Sequence, residues 1–427
     1  MESRLIRLLL FVVATTAGVS LVLMAMGVPR AQTGVDPLVW FVEGRQGGDS
    51  WRPGFTALDV AETLHLRSRG LYEKVFFQAK VPHKGFQYPP TAILPFRAAR
   101  AAAGVDAFAL LAFLNWLSIP LLILATLSLV RSDSPRSWRE EVGVVLIVIV
   151  AALLFYPAMR AYRNGQMQAW INALFALGLA FHARNQKALS GVCLALAAMI
   201  KPQLGLFALW GLIRRERAMV TAFAVVLGTG GLLTLAWLGI APFVDYLDVL
   251  RYIAARGETF YPNQSVNGFM NRMVGNGSSV DFGEAMPEPH ALVGAATGLT
   301  SLLFLALALI GARKSQDKGA APFEFALMGL VATLASPIAW EHHYGVLLPA
   351  LALLFGAFVR GELRGKALAL AAVAWVLCAN SWEAANVFAD TPLRFLQSSL
   401  LFGVFCLAAA LWRQSAAGSA SRIDANP

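Results

Sequence analysis

An aspartate in a long polar stretch, a lysine between two apolar runs and a pair of adjacent histidines are the residues of this 427-residue chain best suited to chemistry. Asp59 lies in Trp51 to Arg97, a stretch rich in polar, aromatic and proline residues. Over Thr56 to Arg69 the spacing is helical, with Leu58, Ala61 and Leu64 on one face and Asp59, Glu62 and His65 on another. A carboxylate there could carry protons, yet Thr56-Ala57-Leu58-Asp59 equally fits a capping box in which the acid reaches back to a backbone N–H. Lys201, in Lys201-Pro202-Gln203, is an ionisable group at a depth where charge is costly, which points to an anionic partner; snorkelling of the ammonium to an interface is the plainer alternative. Trp340-Glu341-His342-His343-Tyr344 sets two imidazoles, an acid and two aromatics between apolar runs, with fewer ligands than a metal site needs.

Other polar motifs accompany these. Asn263-Gln264-Ser265-Val266-Asn267-Gly268, after Tyr261-Pro262, offers amides and hydroxyls suited to sugar hydroxyls or a phosphate; an ordinary solvated loop would look the same. Asn164-Gly165-Gln166 reads first as a turn with a glycine and a polar cap. Tyr88-Pro89-Pro90 fixes an extended backbone ahead of a helix.

The elements that must position these residues are membrane helices. The chain is 57% hydrophobic and only 14% charged, with mean hydropathy +0.60, whereas a soluble chain carries roughly 25% charged residues. The net charge of +10 sits in short clusters between apolar runs, which fits cytoplasmic loops rather than a nucleic-acid footprint. Cys193, Cys378 and Cys406 lie inside apolar runs without metal spacing. The run Leu5 to Val28 is longer than the roughly 7–15 residues of a signal h-region and reads as a retained first helix. Apolar windows predict about twelve crossings, near 5–28, 106–130, 141–157, 167–183, 188–200, 204–213, 218–240, 291–312, 322–336, 344–360, 367–382 and 395–412, with 188–200 and 204–213 as a hairpin broken at Lys201-Pro202. With a cytoplasmic N-terminus, Arg4/Arg7, Arg131/Arg136/Arg139, Arg184/Lys187, Arg214/Arg215/Arg217, Arg313/Lys314/Lys318, Arg360/Arg364/Lys366 and Arg413 fall on one side. The loops 29–105 and 241–290 and the turns at 159–166, 201–203 and 336–344 fall on the other. Interfacial helices are expected in the two large outer loops, and residues 414–427, Ala/Ser-rich, are expected to be a disordered cytoplasmic tail after a single domain over 1–413.

Taken together, Asp59, Gly70-Leu71-Tyr72, Phe86-Gln87-Tyr88-Pro89-Pro90, Asn164-Gly165-Gln166, Lys201-Pro202-Gln203, Asn263 to Gly268 and Ser336-Pro337-Ile338-Ala339-Trp340-Glu341-His342-His343 resemble, in order and spacing, a family of bacterial integral-membrane glycosyltransferases of the GT-C type. Its best-known members are polyprenyl-phosphate-mannose-dependent α-1,2-mannosyltransferases. The resemblance covers most of the chain and departs from the family where Val60, Ala61 and Glu62 follow the acid and where Glu341 stands in the histidine segment. It implies an all-α polytopic GT-C bundle with a periplasm-facing active site and Asp59 as general base.

On that resemblance the expected reaction is inverting transfer of a hexose, mannose first, from a polyprenyl-phosphate donor to a hydroxyl of a lipid-linked glycan or glycolipid at the inner membrane. Lys201, His342 and His343, with Arg163 and Arg256 behind them, are expected to hold the donor phosphate, and Glu62, Tyr88, Gln166, Asn263, Gln264 and Glu341 to position sugar or acceptor. A monophosphate donor lacks the diphosphate that usually calls for a divalent cation, so no metal or other cofactor is expected. The partners are then the donor, the acceptor and the bilayer, with no nucleic acid. A transporter or flippase of lipid-linked sugars is the rival; it would show paired repeats and broken helices meeting near the midplane, whereas the polar motifs here gather at one face.

Overall fold

The computed structural model describes all residues except 1, 31, 32, 34, 35, 45, 64–69, 80–84, 131–136, 283–285, 315–320 and 424–427. The described chain is helical throughout: α1 (Glu2–Ala25), α2 (Asp36–Glu43), α3 (Trp51–Thr63), α4 (Leu94–Ala103), α5 (Ala107–Val130) and α6 (Trp138–Leu153) come first. Next are α7 (Tyr156–Arg163), α8 (Gln168–Ala183), α9 (Lys187–Ala198), α10 (Leu206–Ile213), α11 (Arg217–Leu238) and α12 (Ala241–Arg256). The last are α13 (Val266–Val274), α14 (Ala291–Lys314), α15 (Ala321–Leu334), α16 (Leu347–Arg360), α17 (Gly365–Ala379) and α18 (Ser399–Ile423).

Every predicted apolar window coincides with one of these helices, but not every helix is long enough to cross a bilayer. Among the described residues six are, or seven if the pair α6 and α7, bent by 58°, is one span. The count of about twelve crossings is not confirmed on length, and four further apolar helices are shorter. At 1.5 Å per residue the 12 residues of α9 climb only about 18 Å, well short of the roughly 30 Å of a hydrocarbon core.

The α9–α10 hairpin explains where Lys201 sits. Lys187 and Glu216, at the open ends of its two legs, are 3.2 Å apart, so the chain climbs to Lys201 and returns. Short legs leave the tip inside the bundle. The opposite end of the bundle holds several basic residues of the predicted cytoplasmic loops: Arg214 pairs with Glu324, both side chains nearly fully buried, Lys187 donates to the His182 ring at 2.7 Å, and Arg4 donates to the Val359 carbonyl at 3.3 Å, next to Arg360.

Two local expectations change. Residues 159–166 were expected as a turn, yet Tyr156–Arg163 is a helix, begun by Pro157 in its first turn, where a missing N–H costs nothing. The amphipathic helix begins at Trp51 rather than Thr56, so the Thr56 hydroxyl bonds the Arg52 carbonyl one turn back at 3.0 Å instead of capping; its expected end, with Leu64 and His65, lies outside the described residues. Helix α18 is described to Ile423; residues 424–427 of the expected tail lie outside the described residues.

Candidate active site

A cavity of about 950 Å³ opens where the first loop, the α9–α10 tip, α12 and the 336–343 segment meet. Its lining is mixed. Asp49, Arg52, Tyr88, Gln166, Lys201, Glu258, His342 and His343 supply polar groups, while Phe260, Phe282 and Trp340 supply apolar rings.

Asp49 is held from below by glycine geometry. The Gly47 N–H donates to the Arg163 carbonyl at 2.7 Å, the Asp49 N–H to the Asn164 carbonyl at 3.0 Å, and the Ser50 N–H to the Gly165 carbonyl at 3.2 Å. This docking needs close backbone approach: a Cβ on Gly47 would lie 2.7 Å from the Asn164 oxygen, and one on Gly165, at φ +64°, would lie 2.3 Å from the Gly47 oxygen. Ser50 extends the joint, accepting from the Met167 N–H at 3.1 Å and sharing a hydrogen bond with the Tyr88 hydroxyl at 3.2 Å. Asp49 thus precedes the first turn of α3 (Trp51–Thr63), where the positive end of the helix dipole favours a negative charge.

Lys201 and the histidines are fixed by separate ties. The Thr91 hydroxyl, just after Tyr88-Pro89-Pro90, donates to the Met199 carbonyl at 2.6 Å and joins the first loop to the hairpin tip; Pro89 is extended, φ −63° and ψ 162°, as the sequence predicts. Lys201, His342 and His343 line the same cavity. The His342 and His343 rings stand edge to face, 4.6 Å between centroids. Nδ1 of His343 accepts from the Trp340 N–H at 3.2 Å, which leaves Nε2 to carry the proton of the neutral ring.

The 336–343 segment is knitted to the second loop through Asn263. A bridge pairs Asn263 with Trp340, with the Gln264 N–H donating to the Ala339 carbonyl at 2.8 Å and the Glu341 N–H to the Pro262 carbonyl at 2.9 Å. The Asn263 amide donates to the carbonyls of Glu258 at 2.9 Å and Pro337 at 3.1 Å and accepts from the Ala339 N–H at 2.9 Å. Through this knot Glu258, 3% exposed, receives the Trp340 indole N–H. Burial pushes its carboxyl up to about 7, although the Trp340 hydrogen bond and the Arg272 charge pull the other way.

Of the residues singled out by sequence, the fold brings Lys201, His342, His343, Tyr88 and Gln166 to the cavity and leaves the others outside its lining. Asp59 and Glu62 point outward and share Arg100, at 2.6 and 2.9 Å, because Ala57, Leu58 and Ala61 on the opposite face are buried in the protein. The apolar face of this helix thus packs on protein and its acids face outward. Asn263 and Gln264 are buried at 0% and 2% as parts of the knot; Gln264 donates to the Tyr261 and Gln397 carbonyls. Glu341 turns away from the cavity to accept from the Tyr156 hydroxyl at 3.4 Å. Arg256 lies over the Tyr252 ring at 4.2 Å and 4.0 Å from Glu288, and Arg163 contributes its carbonyl to the Asp49 joint.

Sequence reasoning passed over Asp49, Arg52 and Glu258. The signal for Asp49 was Gly47-Gly48-Asp49-Ser50, paired small residues and an acid opening a helix. For Glu258 no local signal stood out, since its place depends on the Asn263 knot.

A family model described as glycosyltransferase family 87 matches residues 86–337, more than half of the chain. No curated protein and no solved structure matches it.

Proposed function

The chain belongs to glycosyltransferase family 87 and is a membrane glycosyltransferase; we propose that it transfers a hexose, mannose first, from a polyprenyl monophosphate to a hydroxyl of a lipid-linked glycan or glycolipid, with Asp49 rather than Asp59 as the base. One observation carries this reading. A single cavity is lined both by an acid held at a helix N-terminus, Asp49, and by a cationic and imidazole group, Lys201, His342 and His343.

In the proposed step the acceptor O–H bond breaks and its proton passes to the Asp49 carboxylate, while the acceptor oxygen bonds to the anomeric carbon. The bond from that carbon to the phosphate oxygen breaks, and its electron pair leaves on the phosphate. Lys201 and an imidazole N–H match the growing charge. Glu258 is a poor candidate for a covalent nucleophile because it is tied to the Trp340 indole and close to half-protonated at neutral pH; a single inverting displacement follows. Matching of a monophosphate by Lys201 and the histidines is the basis for proposing activity without a metal.

The sidedness rests on charge. Arg4 at the start of α1 donates to the Val359 carbonyl, and Ser415 of α18 donates to Glu324 at 3.2 Å, so Arg4 and Ser415 both lie at the basic end of the bundle. Basic ends favour the cytoplasm, which supports a periplasmic cavity in the cell inner membrane.

The test incubates the purified chain with a panel of labelled polyprenyl-phosphate hexoses, with and without EDTA. Release or transfer of one sugar, unchanged by EDTA, is the expected outcome. Movement of intact donor across vesicles without sugar release would favour a flippase instead, and restoration by Mg²⁺ or Mn²⁺ of activity lost in EDTA would remove the metal-free step.

A further inference from the structure

The cavity has an aromatic corner that the proposed transfer step does not use. Phe260, Phe282 and Trp340 all line it and pack on one another: Phe260 and Phe282 at 5.3 Å, Phe282 and Trp340 at 5.5 Å and 86°, Phe260 and Trp340 at 6.2 Å and 71°. Each ring is only partly buried, so the cluster presents ring surface to the cavity. Glu258, also lining it, is bonded to the Trp340 indole and sits within this apolar surround.

A carboxylate set among rings is a poor surface for hydrocarbon. Covering it with a lipid tail would remove its remaining solvent without supplying a donor. A pyranose ring fits both parts at once: its C–H face is slightly positive and lies against the negative face of an aromatic ring, while its hydroxyls donate to a carboxylate. Of the groups suited to a phosphate, Lys201 comes from the α9–α10 tip, while His342 and His343 follow Trp340 in the same segment, with the His342 ring 5.7 Å from the Trp340 ring. At about 950 Å³ the cavity stands near the upper end of the roughly 300–1,000 Å³ usual for small-molecule sites.

We propose that Phe260, Phe282, Trp340 and Glu258 form the subsite that recognises the acceptor by stacking a pyranose ring next to the hydroxyl that is glycosylated, so that selection of a glycan over a bare lipid or alcohol resides in these four residues. This rests on the transferase reading of the same cavity. Phe282 supplies a stacking face, and Glu258 accepts from two ring hydroxyls or, when protonated, from fewer. In reaction order another glycosyl transfer must come first to supply the sugar-bearing acceptor.

The test uses the full chain in phospholipid nanodiscs, free of sugar detergents, with octyl α-mannoside and octan-1-ol as probes that share a tail and differ by the ring. Saturation-transfer NMR is expected to show octyl mannoside bound through its ring C–H protons and octan-1-ol bound at least tenfold more weakly. Phe282→Leu and Glu258→Gln are each expected to weaken ring binding about tenfold, the scale of one charged hydrogen bond or one stacking face, and Phe282→Tyr to restore it. Glu258→Gln keeps an acceptor for the Trp340 N–H, so folding is preserved, and a Tm no lower than that of the wild type at neutral pH verifies this. Equal binding of the two probes, or ring binding insensitive to both variants, overturns the proposal.

Transfer kinetics separate the two readings. A wild type that releases sugar from a polyprenyl-phosphate hexose but uses octan-1-ol as well as octyl mannoside keeps the transferase and loses the subsite. Ring binding that depends on Phe282 and Glu258, without sugar release from any donor, keeps the subsite and loses the transferase. A raised KM for donor instead of acceptor in Phe282→Leu would assign the corner to the prenyl tail and overturn the proposal.

Discussion

Asp59 forms an exposed ion pair with Arg100, and such pairs contribute about 0–1 kcal/mol. Asp49 lines the cavity, with the backbone around it fixed by hydrogen bonds from the N–H groups of Gly47, Asp49 and Ser50. Asp49→Asn is therefore expected to lower kcat by about 10²–10⁴, the usual contribution of a general base, whereas Asp59→Asn should leave kcat within about threefold; single-turnover rates compare them, and the reverse ranking would return the base to α3's outer face. Glu258 gives a second prediction. Its carboxyl is raised from 4.5 to about 7, with burial the leading cause. Between those values the folded chain keeps a proton that the unfolded chain has lost, so stability falls as pH rises from about 4.5 to about 7 and is level above. Tm measured across that window should lose this downward slope in Glu258→Gln; an unaltered slope would mean another group titrates. At this scale the sequence exposed the groups that are expensive in an apolar setting, Lys201 and His342-His343. It hid Asp49, because an acid just before a helix is the commonest of sights.

The elements were legible wherever a single pattern decides them. Apolar windows marked the helices because lipid leaves few other choices for the backbone, and Pro89 announced its extended turn. Orientation was not legible for α3, since an amphipathic face says which side is apolar without saying whether protein or lipid covers it. Here Phe96 of α4 covers it, so closely that a Cβ on Gly54 would lie 2.1 Å from the Phe96 ring. The joint between the first loop and the Asn164-Gly165 turn was hidden for another reason: it connects segments more than a hundred residues apart. It carries its own prediction. Gly165→Ala would push a methyl group against the Gly47 carbonyl and strain a positive φ, shifting Asp49 on its anchor. A kcat lowered by about 10²-fold, the cost of a displacement near 1 Å, with little change in circular dichroism, is expected; full activity would show that the joint does not set the position of the acid.

Over the whole molecule the cavity and the basic end are separate stations joined by short legs. Arg214 and Glu324 are both nearly fully buried, and removing one partner from such a pair costs about 3–5 kcal/mol. Glu324→Leu should thus lower Tm markedly while kcat at permissive temperature stays at the wild-type value; a loss of kcat at full Tm would mean that the two ends are coupled. The Asn263 knot has a reach of a different kind, in how the chain can change over evolutionary time. Because one amide satisfies carbonyls of both the second loop and the 336–343 segment, neither strand of the knot can gain or lose a residue without moving Glu258, Trp340 and the paired histidines together. Descendants of this gene that acquire new acceptors would do so by exchanging side chains at fixed length, and the spacing from Glu258 to Asn263 and from Pro337 to His343 would stay constant while Phe260 and Phe282 drift.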